Sequence, residues 1–226
     1  MTLTTKIIAT VIALVIATML LNFAIRHFTD PVALGGHSTS REGVDVVISQ
    51  TTMKIPKNII RRKQQRITGR HQVMDLYFQW PSLKGYSRED AALYENTNQL
   101  NSLIFVSLIE SDAPNSPEQR LEGIYRRFFT GRAWRGPDNL IGQTLDPKSG
   151  YESEDVFYAR NGESIFVTRC LQQQEADKSQ VLPTCLYDFQ LEERITVNIR
   201  FHRNLLNQWR EIDKSIKRQL ISMRTN

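Results

Sequence analysis

Alternating hydrophobic and polar residues in the middle of the chain predict β-strands. From Met74 to Trp80 every second residue is large and apolar, which is typical of a strand with one buried face, and Pro81 ends the pattern. The segment 103–109 (LIFVSLI) is apolar on both faces, as in strands that lie inside a sheet and are covered on both sides. Further strands are predicted at 155–160, 164–170, 184–191 and 194–201.

A helix start follows the second of these strands. Ser116 can cap a free backbone N–H, Pro117 fits the first turn, and Gln119 completes a capping box. Apolar residues then recur at helical spacing as far as Phe128, which predicts an amphipathic helix of about 13 residues. A weaker start predicts a short helix at 88–95.

The carboxy terminus is predicted to be a long amphipathic helix from about His202 to Met223. Its apolar residues step by four or three: Leu205, Trp209, Ile212, Ile216, Leu220 and Met223. The repeat is short for a coiled coil, so we expect the helix to pack on the sheet rather than to self-associate. Together these elements predict an α+β domain with a mainly antiparallel sheet.

Near the amino terminus, Ile7–Ile25 (IIATVIALVIATMLLNFAI) contains 19 residues without a charge. As a helix it would be about 28 Å long, close to the thickness of the bilayer core, so we predict one transmembrane helix acting as an uncleaved signal anchor. A cleaved signal peptide is the alternative, although its apolar region is usually shorter and ends at a small-residue cleavage site. A buried soluble helix is a further alternative.

The orientation of this anchor is predicted from the size of the part that follows it. The flanking charges nearly balance, with Lys6 on one side and Arg26, His27 and Arg41 on the other. Long domains translocate with little regard to charge, so in a Gram-negative bacterium the larger part is expected in the periplasm. The predicted organisation is a cytoplasmic tip and transmembrane anchor at 1–25, a linker at 26–43 and a periplasmic α+β domain at 44–226.

The segment 131–151 holds four glycines and two prolines. We predict an irregular loop around Trp134, because such residues interrupt regular elements. Long loops inside domains are often functional, so Trp134 is a candidate contact for a partner.

One block of basic residues accounts for the positive charge of the chain. Its 226 residues include 29 basic and 24 acidic ones, for a formal net charge of +5. Seven basic residues and no acidic one lie between positions 54 and 70: Lys54, Lys57, Arg61, Arg62, Lys63, Arg66 and Arg70. They are predicted to contact anionic lipid or an anionic envelope partner. A solvated charged edge strand or loop is the alternative, and nucleic acid is not favoured because no aromatic residue is interleaved.

Cys170 and Cys185 flank a polar segment between two predicted strands. We predict a structural disulfide across a long hairpin, which in the entropy model contributes roughly 3 kcal/mol. Such a bridge favours an oxidising compartment. Two unrelated buried thiols are the alternative, whereas a redox pair is disfavoured because the spacing differs from C-x-x-C.

No pattern in the sequence indicates catalysis or a cofactor. H-E-x-x-H, G-x-S-x-G, phosphate-binding glycine loops and calcium loops are absent from it. The four histidines are scattered along the chain, at His27, His37, His71 and His202. Glu152, Glu154 and Asp155 form an acidic cluster that we expect to be solvated rather than to hold a cation. We therefore expect no catalytic, cofactor-binding or metal site.

Several segments invite comparison with a known group of proteins. They are IPKNIIR at 55–61, DLYFQWP at 75–81 with the following Gly85-Tyr86-Ser87, the segment from Cys170 to Cys185, and the stretch 204–213. Together they resemble single-pass, inner-membrane-anchored periplasmic proteins of alphaproteobacteria. The resemblance covers most of the soluble part and implies the same location, but it implies no activity, ligand or partner.

These features predict a non-enzymatic, inner-membrane-anchored periplasmic protein that acts as an interaction or accessory component of the cell envelope. One alternative is a periplasmic ligand-binding or sensor module, which would need a closed apolar pocket and a cytoplasmic output. A second alternative is a hydrolase, which would need titratable groups that converge in a cleft.

Overall fold

The amino-terminal part of the chain contains a helix with exposed apolar side chains. The computed structural model describes residues 11–21, 36–95, 101–112, 116–151, 153–162 and 164–225. Residues 11–21 form helix α1, and its large apolar side chains are exposed. The remainder of the predicted span, at 7–10 and 22–25, lies outside the described residues, as does 26–35 of the predicted linker. No helix in the described ranges is both long enough and apolar enough to cross a membrane.

Two β-sheets form the framework that follows. Their strands are β1 (Gly43–Ile48), β2 (Thr51–Pro56), β3 (Gly69–Arg70), β4 (Val73–Gln79), β5 (Leu103–Glu110), β6 (Phe129–Arg135), β7 (Ile141–Leu145), β8 (Glu154–Asn161), β9 (Ser164–Leu171), β10 (Thr184–Glu192) and β11 (Ile195–His202). Eight form one sheet in the order β4-β5-β11-β10-β9-β8-β7-β6, and three form a small sheet in the order β2-β1-β3. Neighbours in the large sheet are antiparallel throughout.

Short helices connect the strands, and a longer one closes the chain. They are α2 (Ala91–Glu95), α3 (Pro117–Gly123), α4 (Gln173–Ser179) and α5 (Trp209–Ser222). The predicted mixed α+β fold, with a large antiparallel sheet and a carboxy-terminal helix, is confirmed.

One face of the large sheet is buried under α5 and the small sheet. Leu76 of β4, Ile199 of β11 and Trp209 of α5 are all fully buried in this core. The end of α5 is tied to the small sheet, because the N–H of Lys54 donates to the carbonyl of Met223 at 2.7 Å. The carboxy-terminal helix therefore packs on the sheets, as its apolar stripe predicted.

The strands predicted from the apolar patterns are confirmed as β4, β5 and β8 to β11, with shifts of one or two residues at their ends. Strand β4 differs in one respect. Asp75 and Tyr77, on the face predicted to be open, are also buried. Side chains from distant segments cover them, among them Arg62 over Asp75 and Tyr94 over Tyr77.

The prediction of an irregular loop at 131–151 is wrong, because the segment contains most of β6 and all of β7. Two of its glycines lie within this strand pair and have structural roles there. Gly131 adopts φ +71° where the pairing of β6 with β7 shifts register. Gly142 leaves room for the indole of Trp134, since a Cβ at this position would lie 2.4 Å from the ring.

The helix after the capping box is shorter than predicted. The box itself is present: Ser116 Oγ accepts from the Gln119 N–H at 3.1 Å, and the Gln119 side chain accepts from the Ser116 N–H at 2.8 Å. Helix α3 ends at Gly123, and a 3-10 turn at Tyr125–Phe128 leads directly into β6. Gly123 has a low helix propensity and therefore weakens the helix at this point. Residues from Phe129 onwards pair with β7 instead of continuing the helix.

Candidate functional site

Four of the seven residues in the basic block are engaged within the fold. Three form ion pairs with N–O distances of 2.5 to 2.8 Å: Lys57 with Glu42, Arg62 with Asp75, and Arg70 with Glu110. Arg66 donates to the carbonyl oxygens of Gly36 and Ile60, at 2.7 and 3.0 Å. The block is therefore not a single open cationic patch.

The other three residues of the block have no acidic partner within the described ranges. Lys54 lies on β2 and runs its side chain along Gly43. Lys63 is exposed at the start of a short 3-10 turn. Arg61 lies over the ring of Phe105, on the face of the large sheet away from α5. We call this the open face, although Tyr94 and α3 cover parts of it.

Phe105 is shared by two arginines that are distant in sequence. The guanidinium carbon of Arg61 lies 5.1 Å from the ring centroid, and that of Arg200 lies 4.8 Å from it. Strand register places Arg200 directly opposite Phe105 on β5, and the N–H of Arg61 donates to the Asp75 carbonyl at 2.8 Å. Neither arginine forms an ion pair with a described residue, and the segment 96–100 that precedes β5 contains no acidic residue.

A groove of about 560 Å³ opens beside this pair, and we call it the Phe105 groove. Its floor comes from β5 and β11, and its far wall from the segment that enters β10. The lining residues used below are Leu103, Phe105, Val181, Leu182, Arg200 and His202. The groove thus combines an apolar wall with the guanidinium group of Arg200 at one end, and Arg61 meets the same Phe105 ring. Neither arginine has an acidic partner among the described residues.

The disulfide predicted from the sequence lies at the base of the segment that forms the far wall of the Phe105 groove. Cys170 and Cys185 face each other in β9 and β10 and are joined. Between them, helix α4 ends at residue 179, and the N–H of Val181 donates to the Ala176 carbonyl at 3.1 Å. Since the bridge closes this excursion at its base, the wall is attached to the sheet at both ends.

An aromatic cluster, formed by His37, Tyr77, Tyr86 and Tyr94, adjoins Phe105 on the same face. The His37 ring stacks on Tyr86 with centroids 4.6 Å apart, and its Nδ1 lies 3.0 Å from the Tyr77 hydroxyl. The carboxy-terminal end of the predicted linker therefore packs onto the domain at this cluster.

Burial keeps the aromatic cluster uncharged at neutral pH. It lowers the pKa of His37, and the nearby Arg66 lowers it further. It raises the pKa of Tyr77 to about 12 and also raises that of Tyr94. Burial, with a contribution from neighbouring Arg61, lowers the pKa of Arg200, yet an arginine remains protonated at any physiological pH. The charge on this surface is therefore that of its arginines.

Trp134 lies away from the Phe105 groove. It is on β6, at the opposite edge of the large sheet from β4, and 38% of it is exposed. Its ring meets Phe157 edge-on, with centroids 6.0 Å apart. The structure does not bring Trp134 and the basic block together on one surface.

The acidic cluster is paired with arginines. Glu154 forms an ion pair with Arg169, and Asp155 with Arg203 at 2.9 Å, whereas Glu152 lies outside the described residues. In the described part of the chain, no group of three or more His, Cys, Asp or Glu residues is arranged to hold a metal ion.

A smaller cavity of about 240 Å³ lies where β9 and β10 diverge. Asp213 lines it and is held by Lys217 at 2.8 Å and by the Asn161 side-chain amide at 2.9 Å. The buried hydroxyl of Tyr187 also lines it and has no hydrogen-bond partner among the described residues. Asp213 is thus satisfied by its neighbours, whereas the Tyr187 hydroxyl has no partner among the described residues.

Phe105, Arg200 and the aromatic cluster were not predicted as site residues. The sequence carried only a partial signal for Arg200, which lies on the polar side of the alternating strand 194–201. Residues 61, 105 and 200 are too far apart for any local pattern to connect them.

No protein-family model and no curated protein matches the chain. Two solved structures are similar to it. One is an immunity protein of the Stenotrophomonas maltophilia type IV secretion system, with 17% identity, a TM-score of 0.57, and coverage of 84% of this chain and 96% of that chain. The other is the iron-regulated outer membrane lipoprotein FrpD of Neisseria meningitidis, with 12% identity, a TM-score of 0.51 and the same coverages. At these identities the likeness shows a shared fold.

Proposed function

We propose that this protein is a non-enzymatic component of the cell envelope that binds another protein through the open face of its large sheet. The observation that carries this proposal is the pair of arginines on Phe105 beside an open groove, neither of which forms an ion pair with a described residue. Arginine and aromatic residues are enriched at the centres of protein interfaces, where they contribute most of the binding energy. An accessory binding role follows from such a surface.

The proposed location is the periplasm, with an inner-membrane anchor. The uncharged stretch Ile7–Ile25 supports the anchor, and the exposed apolar side chains of α1 need a non-aqueous environment. The Cys170–Cys185 disulfide supports an oxidising compartment. The resemblance to inner-membrane-anchored periplasmic proteins of alphaproteobacteria agrees with both features.

The absence of catalysis is also part of the proposal. On the open face, Nδ1 of His37 is engaged with the Tyr77 hydroxyl at 3.0 Å. The carboxylates of Asp75 and Asp155 are occupied by arginines. Such an arrangement suits recognition, since a general acid or base must be free to contact a substrate.

In-cell cross-linking of the full chain, carrying an affinity tag at its carboxy terminus, tests this function. We expect one envelope protein to be captured by the full chain and not by a control in which residues 1–43 are fused to an unrelated periplasmic domain. Capture of the same proteins by both would contradict the proposal. A reporter fused to the carboxy terminus tests the location, which would be refuted by activity confined to the cytosol.

A second candidate is an immunity role, in which the bound partner is a protein delivered by a secretion system. The observation that favours it is the fold shared over 96% of the immunity protein's chain. Deleting the gene should then make cells sensitive to a competitor with an active type IV secretion system, and the intact gene should restore resistance. Unchanged survival would remove this candidate and leave the general binding role in place.

A further inference from the structure

We propose that the Phe105 groove binds an acidic segment of a protein partner, with a carboxylate held between Arg61 and Arg200 and an adjacent apolar side chain in the groove. This inference rests on the proposed protein-binding function and specifies the chemistry of the partner. The juxtaposition that carries it is two guanidinium groups over one half-buried ring, Phe105, which lines an apolar groove together with Arg200.

The charge arrangement favours a carboxylate-like partner. Arg61 and Arg200 meet the same ring, and burial together with the positive charge of Arg61 lowers the pKa of Arg200; no acidic residue of the described chain pairs with either, which is unfavourable for two like charges. The neighbouring Arg62, by contrast, is already neutralised by Asp75 at 2.6 Å. Because each guanidinium presents five N–H donors in a planar fork, the pair can donate several hydrogen bonds to one carboxylate.

The groove adds a requirement for an apolar group beside the carboxylate. Leu103, Leu182 and the half-exposed Val181 line it, and its volume of about 560 Å³ is sufficient for a large side chain. A bare phosphate or a lipid headgroup would use the arginines but leave this apolar lining in water. An acidic residue next to an aromatic or aliphatic one in a peptide satisfies both halves of the site.

The wall of the groove is preorganised for such a ligand. The segment 180–184 is held by the Cys170–Cys185 bridge and by the N–H of Arg203, which donates to the Pro183 carbonyl at 2.8 Å. A wall that is already ordered adds little ordering cost on binding, and this raises affinity.

Peptide binding to the full chain in phosphatidylcholine nanodiscs tests the inference. The probe is a fluorescent peptide, acetyl-GSDFDLEGS-amide, measured by anisotropy. Matched peptides are acetyl-GSNFNLQGS-amide, which lacks the charge, and acetyl-GSDADAEGS-amide, which lacks the large apolar groups. We expect saturable binding of the probe and roughly 10-fold or more weaker binding of each matched peptide.

Two double variants assign the binding to the groove. Arg61→Ala with Arg200→Ala should weaken probe binding roughly 10-fold or more. Lys63→Ala with Arg132→Ala removes the same charge from exposed positions outside the groove and should leave affinity within about 2-fold, because long-range charge alone adds little. Replacing both groove arginines by lysine should give an intermediate affinity, since lysine lacks the planar fork. All variants alter exposed residues, and their folding is checked by thermal unfolding.

Several results would overturn the inference. They are no probe binding at millimolar concentrations, equal affinity of the two alanine double variants, or competition by phosphatidylglycerol vesicles as effective as unlabelled probe. The in-cell cross-linking experiment separates this failure from failure of the proposed function. A partner that both the wild type and the Arg61, Arg200 double variant capture equally would refute the groove while retaining the binding role. No specific capture by the wild type would refute the binding role.

Discussion

Removing the disulfide should destabilise the domain without dismantling the groove. Cys170 and Cys185 are 15 residues apart, and closing a loop of this size contributes about 3 kcal/mol in the chain-entropy model. The Cys170→Ala, Cys185→Ala double variant should therefore lose about 3 kcal/mol of unfolding free energy. For an m value of about 2 kcal/mol per M, the urea midpoint should fall by about 1.5 M.

Tryptophan fluorescence of the full chain in detergent provides the assay, because Trp209 is fully buried and reports on the core. Wild-type protein denatured and refolded with a thiol reductant should match the double variant, whose own midpoint should not respond to the reductant. Equal midpoints for wild type and variant would refute the reasoning, as would a variant that still responds.

The effect on the groove should be smaller than the effect on stability. Two hydrogen bonds hold the wall independently of the bridge, from the N–H groups of Val181 and Arg203 to the carbonyls of Ala176 and Pro183. We therefore expect the double variant to bind the acidic probe peptide within about 3-fold of wild type, under conditions where it remains folded. Loss of binding by the folded variant would show that the bridge itself positions the wall.

Three further changes test the packing described above. Lys217→Met leaves the carboxylate of Asp213 with one partner fewer, and should lower the free energy of unfolding by about 1–2 kcal/mol in urea denaturation. Gly85→Ala places a Cβ 2.5 Å from the Asn58 carbonyl oxygen, so the backbone must move, and thermal unfolding should show a loss of about 1–3 kcal/mol. Burial lowers the pKa of His202 below 6.5 in the folded protein. As pH falls, His202 therefore takes up a proton in the unfolded chain at a higher pH than in the folded protein. Stability should therefore be lost as pH falls from 6.5 towards that lowered pKa, and His202→Asn, which retains a side-chain acceptor at the helix start, should reduce this loss in urea titrations from pH 7.5 to 5.

Matched changes separate these mechanisms from general effects of substitution. Lys214→Met on the exposed side of α5 should cost less than about 0.5 kcal/mol, and an equal cost would contradict the role given to Lys217. Gly123→Ala meets no atom within 4 Å, so a loss as large as that of Gly85→Ala would point away from the carbonyl clash. A wild-type pH profile for His202→Asn would refute the assignment to His202.

Local patterns predicted the elements whose cause is local. Alternation from residue 194 to 201 predicted β11 because a strand inside a two-layer fold must present one apolar face, and the structure buries Ile195, Val197, Ile199 and Phe201. The capping box predicted the start of α3 because both of its hydrogen bonds join residues three apart. The end of α3, by contrast, depended on pairing between β6 and β7, which the helical spacing did not reveal.

Glycine and proline were misleading at 131–151 for a related reason. A glycine predicts a loop when the backbone is considered alone, but Gly142 is needed because a tryptophan from the neighbouring strand packs on it. The residue that requires this glycine lies in another strand. The local sequence around Gly142 therefore predicted a loop where the structure has a strand.

The functional surface depends on contacts that no segment of the sequence contains. Composition showed that the block at 54–70 is basic, yet Lys57, Arg62 and Arg70 find carboxylates elsewhere, and Arg61 instead meets a ring on β5. Arg200 contacts the same ring because the antiparallel register of β11 and β5 places it opposite Phe105. Hydrophobic periodicity is a property of neighbouring residues and can be read along the chain. The pairing or isolation of a charge depends on which distant residues the folded sheet brings within a few ångströms of it.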